Sequence, residues 1–421
     1  MRKIVEREKG MLNQRKAAVP FVLITVFLDI LGIGIVIPVL PALVGTMTTS
    51  PDQQAYWYGA LMAAYGLMLF CSAPLLGALS DQFGRRPLLL VAIFGLGLNF
   101  LLTALSPWLW LLLVARLIGG ACGASYSVAG AYLADITAPE NRAKTFGIMG
   151  AVFGMGFICG PMFGGLLAQH DLRLPYFAAA SLSLLNWLYG FFVLPESNQN
   201  RSQFSFAKAN PFSALIGLAQ IHGIGNLVAV FTLVALPEFI LRTTWVLYTT
   251  FRFRWGPTEN GISLFIVGIA SALGQTILLR TMLKNFGDVR TLLVGLTSSF
   301  LAYILYGLST QGWMMYAVIC ANMLGFVVAP ALQGLVSKAV DPAKQGLAIG
   351  SLNSINSIMG VIAPLFATPI LASVSHYPPT DFRVGTTFFL AALIQFSALA
   401  LAIRHFRKEP LTVAIAPPHA G

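Results

Sequence analysis

Charge is what this chain has least of. Only 10% of its 421 residues are Asp, Glu, Lys or Arg, while 57% are hydrophobic; a soluble globular chain carries roughly a quarter charged residues. With a mean hydropathy of +0.77, a polytopic membrane protein is the class that remains. Cysteine is also scarce. Cys71, Cys122, Cys159 and Cys320 each stand alone inside an apolar run, with no CxxC and no clustered histidine. A disulfide framework and a metal site are therefore not expected, and the thiols read as small packing residues. HExxH, GxSxG and a phosphate-binding glycine loop are missing, and no stretch between apolar runs is long enough to hold a catalytic domain. Neither enzyme activity nor a cofactor is expected, and a membrane enzyme or a sensor has nothing to build on. The net charge of +11 would suit nucleic acid, but the basic residues punctuate apolar runs and form no face interleaved with aromatics. The first apolar run holds Asp29 and lacks a small-x-small cleavage site, so it reads as a retained helix and not a signal peptide.

About 20 apolar residues cross a bilayer as a helix. That length divides the chain into twelve spans, near 18–44, 56–79, 87–106, 109–134, 144–168, 174–194, 222–250, 258–280, 289–309, 313–337, 346–374 and 384–404. Unpaired backbone is not tolerated in lipid, so each span is predicted to be helical. An even number places both termini on one side. That side carries twenty of the 26 Lys and Arg residues, from Arg2 to Lys408, and the other carries Arg173, Arg252, Arg254 and Arg383. The bias predicts cytoplasmic termini, and a bacterial inner membrane is the expected location.

The polar stretch 196–210, ESNQNRSQFSFAKAN, follows the sixth span. It divides the chain into a terminal segment 1–17, a six-helix bundle 18–195, a linker 196–212, a second bundle 213–405 and a tail 406–421. The halves echo one another at one offset. Phe83-Gly84 maps onto Phe286-Gly287, Pro139 onto Pro342, Gly147 onto Gly350, and Gly160-Pro161-Met162-Phe163 onto Ala363-Pro364-Leu365-Phe366. A single offset serving separate segments, with prolines and loop glycines among the matches, points to duplication. The fold expected is all-α, with two pseudo-symmetric six-helix bundles around a central cavity.

Three motifs carry more. Residues 77–86, GALSDQFGRR, form a charged hairpin between two apolar runs. Gly77 and Gly84 permit close approach and a tight turn. Asp81 can pair with arginines, and Arg85 and Arg86 hold the hairpin on the basic side. Residues 156–165, GFICGPMFGG, place Gly156, Gly160, Gly164 and Gly165 where another helix can approach at backbone distance, with Pro161 removing one helix bond. Residues 28–41, LDILGIGIVIPVLP, describe a bendable first helix. The hairpin resembles the loop between helices 2 and 3 of major facilitator transporters. The pattern G-x-x-x-G-P-x-x-G-G resembles the signature of that superfamily's proton-coupled antiporters, although tight packing alone also explains glycines there. Within the group of drug:proton antiporters with twelve spans, the chain is similar to tetracycline-efflux pumps over about 18–405. The likeness includes Asp29, Gly84–Pro87, Arg116, Ala134-Asp135, Phe251–Trp255, Gly312-Trp313 and Pro330–Gly334. It implies alternating-access export of small amphipathic compounds driven by protons, in a unit for which a monomer suffices.

Departures from that pattern bear on the cargo. Those pumps carry a carboxylate in helix 3 where this chain has Asn99, and a His and an Asp where it has Ser271 and Ser299. Amides and hydroxyls hydrogen-bond but bind no metal chelate as an anion. Export or import of an endogenous metabolite or siderophore therefore stands as the alternative function.

A charge at membrane depth costs roughly 2.5–3.5 kcal/mol, so each one is a functional candidate. Asp29 in the first span is a candidate proton or substrate group, with a structural cap as the plain alternative. Glu238 and Arg242 lie one turn apart in the seventh span, either as a static salt bridge or as a switch in which protonating Glu238 frees Arg242. Arg116 matches the helix 4 arginine that the resemblance implicates in coupling. Asp135 is expected to pair with Arg85, Arg86 or Arg142 and to join Asp81 in a cytoplasmic latch. Polar and aromatic residues within the spans form a candidate cavity lining: Tyr65, Asn99, Tyr126, Trp245, Tyr248, Gln275, Asn322, Gln333, Asn353 and Asn356. Of these, about half are expected to face the cavity.

Overall fold

Apolar runs separated by glycine, proline and polar punctuation become long helices, because in lipid the helix alone satisfies every backbone group locally. The computed structural model describes residues 2–198, 201–218 and 223–408. The tail from 409 onward and linker residues 199–200 lie outside the described residues, as do 219–222. The long helices are α1 (Arg2–Val36), α2 (Pro51–Phe83), α3 (Arg85–Leu105), α4 (Leu109–Ile136), α5 (Pro139–Leu167), α6 (Leu174–Val193) and α7 (Gly225–Phe253). A 52-residue run, Pro257–Leu308, follows. At about 1.5 Å per residue it is far too long for one crossing, and Gly287 breaks it with a positive φ of 75°. It therefore supplies α8 (257–286) and α9 (288–308). The series ends with α10 (Gly312–Lys338), α11 (Gln345–Val374) and α12 (Thr386–Lys408). Among the described residues, eleven apolar runs thus give the twelve spans expected. The first span is shorter than read: α1 stops at Val36, and a separate turn of helix, Leu40–Gly45, follows it.

The duplication is written in the backbone. Gly84 closes the α2–α3 hairpin at φ 109°, and its counterpart Gly287 does the same between α8 and α9. Both positions need a conformation that side chains with a Cβ rarely adopt. α4 is interrupted by a turn at Gly123-Ala124, and α10 by a 3-10 stretch, Asn322–Val327, at the equivalent depth.

The two halves meet at the end away from the termini. α2 packs on α11 and α5 on α8. A Cβ on Gly66 would lie 2.8 Å from the Gly360 carbonyl oxygen, and one on Gly165 2.6 Å from that of Pro257. The Thr258 hydroxyl donates to the Gly165 carbonyl at 3.1 Å. Toward the other end the same helices part. Around Gly77 on α2, Gly147, Gly150 and Gly154 on α5, and Gly346 and Gly350 on α11, a Cβ would meet nothing within 4 Å. The cleft is open at the end that bears the α2–α3 hairpin. The linker crosses this opening. Phe212 sets its ring edge-on against Phe70 of α2, 5.3 Å between centroids, and the short helix Ser213–Leu218 lies on α11 beside Leu347.

At the closed end the loops are pinned by arginines. Arg173 donates to the carbonyls of Ala104 and Ser106, at 3.0 and 2.9 Å. Arg252 donates to those of Ser309 and Asp381, at 2.6 and 3.0 Å. In the loop before α12, hydrogen bonds from the Arg383 side chain and backbone N–H hold the Asp381 carboxyl down at about 2.

Candidate functional site: a buried carboxylate, a glycine seam and a charged cavity

Asp29 sits in the packed interior of the first half, with 3% of its surface exposed. Ser125, at the start of the second segment of α4, lies beside its carboxyl group. Its Oδ1 is buried without a partner. A buried polar oxygen left unpaired is costly. Arg116 is buried further along α4, nearer its start. Its Nη2 donates to Asn99 Oδ1 at 3.0 Å, its guanidinium lies 5.7 Å from the Tyr65 ring centroid, and its Nε is unpartnered. Asn99 is thus a buried strut for Arg116, which corrects its reading as a cavity-lining residue.

α5 carries the glycine pattern along its contact with α1. A Cβ on Gly156 would come within 3.1 Å of Ile30 and Leu31, one on Gly160 within 2.7 Å of the Gly34 Cα, and one on Gly164 would fall on the Ile35 carbonyl. Gly165 and the Pro161 carbonyl face α8, where Gly261 approaches both, while the Pro161 ring lies against Gly34 of α1. The motif therefore serves two seams. One runs beside Asp29 within the first half, and the other is the contact between halves.

The hairpin charges form one cluster at the open end. Arg85 pairs with Asp81 at 2.6 Å and Asp135 at 3.2 Å. Arg86 donates to the Phe191 carbonyl at 2.6 Å, and Arg142 stays exposed, with a long contact to the Thr137 carbonyl at 3.4 Å. Among the described residues, neither forms an ion pair with Asp135. The organiser is a residue the sequence reading passed over, Glu196. Its carboxylate accepts from the backbone N–H groups of Arg85 and Arg86 at 2.9 and 3.2 Å, and from those of Ser197 and Asn198 at 2.9 and 3.0 Å. It caps the N-terminus of α3 from the far end of α6, where a carboxylate also suits the helix dipole. The signal available was an acidic residue just after a span, in a chain with few acids. Replacing Glu196 by Ala should cost about 0.5–2 kcal/mol as a lost cap and slow transport several-fold while Asp29-dependent coupling persists. An unchanged transport rate and melting temperature would rule out the capping role.

In the second half Glu238 and Arg242 pair at 2.6 Å, with 39% and 57% of their side chains exposed. Arg242 also lies 5.7 Å from the centroid of Phe239. They border a cavity of about 230 Å³ with Phe231, Phe239, Ala329 and Asn356, between α7, α10 and α11.

Two other residues expected to line a cavity belong to helix packing. Trp245 donates to Ser263 at 2.9 Å and Tyr248 to the Tyr306 carbonyl at 2.7 Å, both buried. Their polar atoms are satisfied by neighbouring helices, which is how buried Trp and Tyr are usually held. Tyr65, Asn322 and Gln333 are half-buried, and Asn322 accepts from Ser298 at 3.0 Å. Tyr126 is exposed with its ring edge-on to Phe153, Gln275 donates to Ser271 at 2.7 Å, and Asn353 is exposed on α11.

Comparisons with known proteins agree with this architecture. A family model described as Major Facilitator Superfamily matches residues 22–364. The chain is 39% identical over 371 residues to the class C tetracycline resistance protein of Escherichia coli, covering 88% of this chain and 93% of that one. It is 34% identical over 373 residues to the class G protein of Vibrio anguillarum, covering 88% and 95%. Among solved structures, a bacterial homologue of the human lysosomal transporter Spinster, inward-facing and unoccupied, superposes with a TM-score of 0.74 at 15% identity over 94% of this chain and 98% of that one. The chain belongs to the major facilitator superfamily.

Proposed function

We propose that this protein is a proton-coupled antiporter that exports small amphipathic compounds by alternating access, as a monomer in a bacterial inner membrane with both termini in the cytoplasm. The tetracycline resistance relatives support drug export. The charge bias of the loops supports the orientation, under which the open cleft faces the cytoplasm. The observation that carries the coupling is Asp29, buried on the helix whose next residues, Ile30 and Leu31, pack against Gly156 of α5. A change in its protonation acts directly on the α1–α5 seam, and α5 is also the helix that holds α8 of the other half. Arg116 in the first half, and Glu238 with Arg242 in the second, are the further charges proposed for coupling. Gly77, Asp81, Gly84, Arg85, Arg86, Asp135 and Arg142 form the proposed latch, and Gly156, Gly160, Pro161, Gly164 and Gly165 the antiporter motif. Asn99 bound to Arg116, and serines at 271 and 299, favour a second reading of the cargo as an endogenous amphiphile.

The test is efflux of tetracycline and of ethidium from inverted vesicles, with and without a proton gradient. Gradient-dependent movement of either compound is the expected result. No movement of either, in protein shown to be folded, would overturn drug export and leave the metabolite cargo.

A further inference from the structure

The orphaned oxygen of Asp29 is not alone on its side of the first half. α6 packs along α1 and brings two buried polar residues to the first half's core, Ser183 and Asn186. The Thr25 hydroxyl, one turn before Asp29 on the same face of α1, donates to Asn186 Oδ1 at 3.2 Å. Asn186 Nδ2 and Ser183 Oγ are left buried without partners, as Asp29 Oδ1 is. The levels match. At about 1.5 Å per residue, Ser183 and Asp29 lie about 15 Å from the Val193 and Val19 ends of their helices, and Asn186 and Thr25 about 10 Å. The four residues therefore make two polar rungs between α1 and α6. The core they cross is otherwise apolar, with Val22, Val26, Ile93 and Val128 among its members. Below the lower rung the Phe21 ring lies against Gly190, 5.1 Å from the Tyr189 centroid, and closes the seam.

We propose that these rungs hold ordered water, and that Asp29 exchanges its coupling proton through that water, inside the first half. Thr25, Ser183 and Asn186 are its positioning residues. The inference rests on the reading of Asp29 as the coupling group.

The three orphaned atoms select water. One is a donor, one an acceptor, and one a hydroxyl that serves as either. A cation is repelled by the Asn186 N–H and an anion by the carboxylate, whereas water suits all three. Buried water makes about three hydrogen bonds, to polar groups that protein partners leave unsatisfied. Asn186 donates to the water oxygen and turns its hydrogens toward the carboxylate. When protonated Asp29 releases its proton, its O–H bond breaks toward the water and the proton passes on along the hydrogen-bonded chain. The carboxylate left behind accepts a hydrogen bond from the same water. Among the described residues, α5 and α6 bring no ionisable side chain to the carboxyl group. α5 presents Gly156, α4 presents Ser125, and Tyr65 of α2 is within electrostatic reach, with Arg116 beyond it.

The experiment is infrared spectroscopy of purified full-length protein in nanodiscs, at acid pH, as water is exchanged for heavy water. The carboxylic acid C=O band that Asp29→Asn removes belongs to Asp29, and its downshift times the exchange. Thr25→Val, Ser183→Ala and Asn186→Leu should each slow exchange by roughly tenfold or more. Thr25→Ser keeps the hydroxyl and should exchange within about twofold of wild type. Should Asn186→Leu fail to fold, Thr25→Val and Ser183→Ala decide, since each removes one oxygen. Wild-type exchange in these two folded variants overturns the proposal. Equal slowing in Thr25→Val and Thr25→Ser also overturns it, because packing then accounts for the effect. The coupling reading fails separately: it falls if Asp29→Asn pumps at the wild-type rate, whatever the exchange rates.

Discussion

Asp29→Asn should reduce gradient-driven efflux to the level of vesicles without the protein, while the variant stays folded and still binds its cargo. Asparagine keeps the shape of the side chain and can still meet Ser125, so packing against Gly156 is preserved. What it removes is the ability to take up and release a proton. The expected pattern is a split. Uphill transport is lost, while exchange of labelled for unlabelled compound across the membrane continues, because exchange needs the two-state motion and not the gradient. A ligand can shift that motion only through different affinity for its two states. If Asp29→Asn pumps at the wild-type rate, the coupling group lies elsewhere, and Glu238 becomes the next residue to neutralise.

The second large effect is expected at Gly164. A single methyl group there lands on the Ile35 carbonyl, which is main chain and has no rotamer to yield. α1 must move off α5 along the seam. Overpacking of this kind costs about 1–3 kcal/mol, so Gly164→Ala should lower the apparent unfolding temperature by several degrees and remove most transport. Gly147→Ala on the same helix is the control, since a Cβ there meets nothing within 4 Å. It should leave the apparent unfolding temperature within error of wild type. Equal behaviour of the two variants would show that the seam does not depend on the missing side chain.

Much of this arrangement is legible in the residues. The spans follow from apolar runs of the right length, and the duplication from matched prolines and glycines. Gly84 and Gly287 do share a backbone conformation that few other residues tolerate. The glycines of 156–165 do lie in close seams. The facing of α7 was not legible, and the reason is physical. In water a helix shows its buried face as its apolar one, but in lipid both faces are apolar. Trp245 and Tyr248 therefore look the same in sequence whether they touch cargo or a neighbouring helix. Glu196 was missed for another reason. A cap supplied from the end of α6 to the start of α3 spans 111 residues of sequence, and no local pattern records it.

The closed end of the cleft has one more consequence. Among the described residues, each ion pair lies within one half. The closure is made instead by glycine edges of α2 and α5 against main chain of α11 and α8, with Thr258 adding a hydroxyl contact. A gate of this kind parts without stripping water from a charge or returning it. Its resistance comes from dispersion and from lipid filling the space the helices leave. Bilayer thickness and hydrostatic pressure should therefore govern how readily this face opens, and ionic strength should hardly matter there.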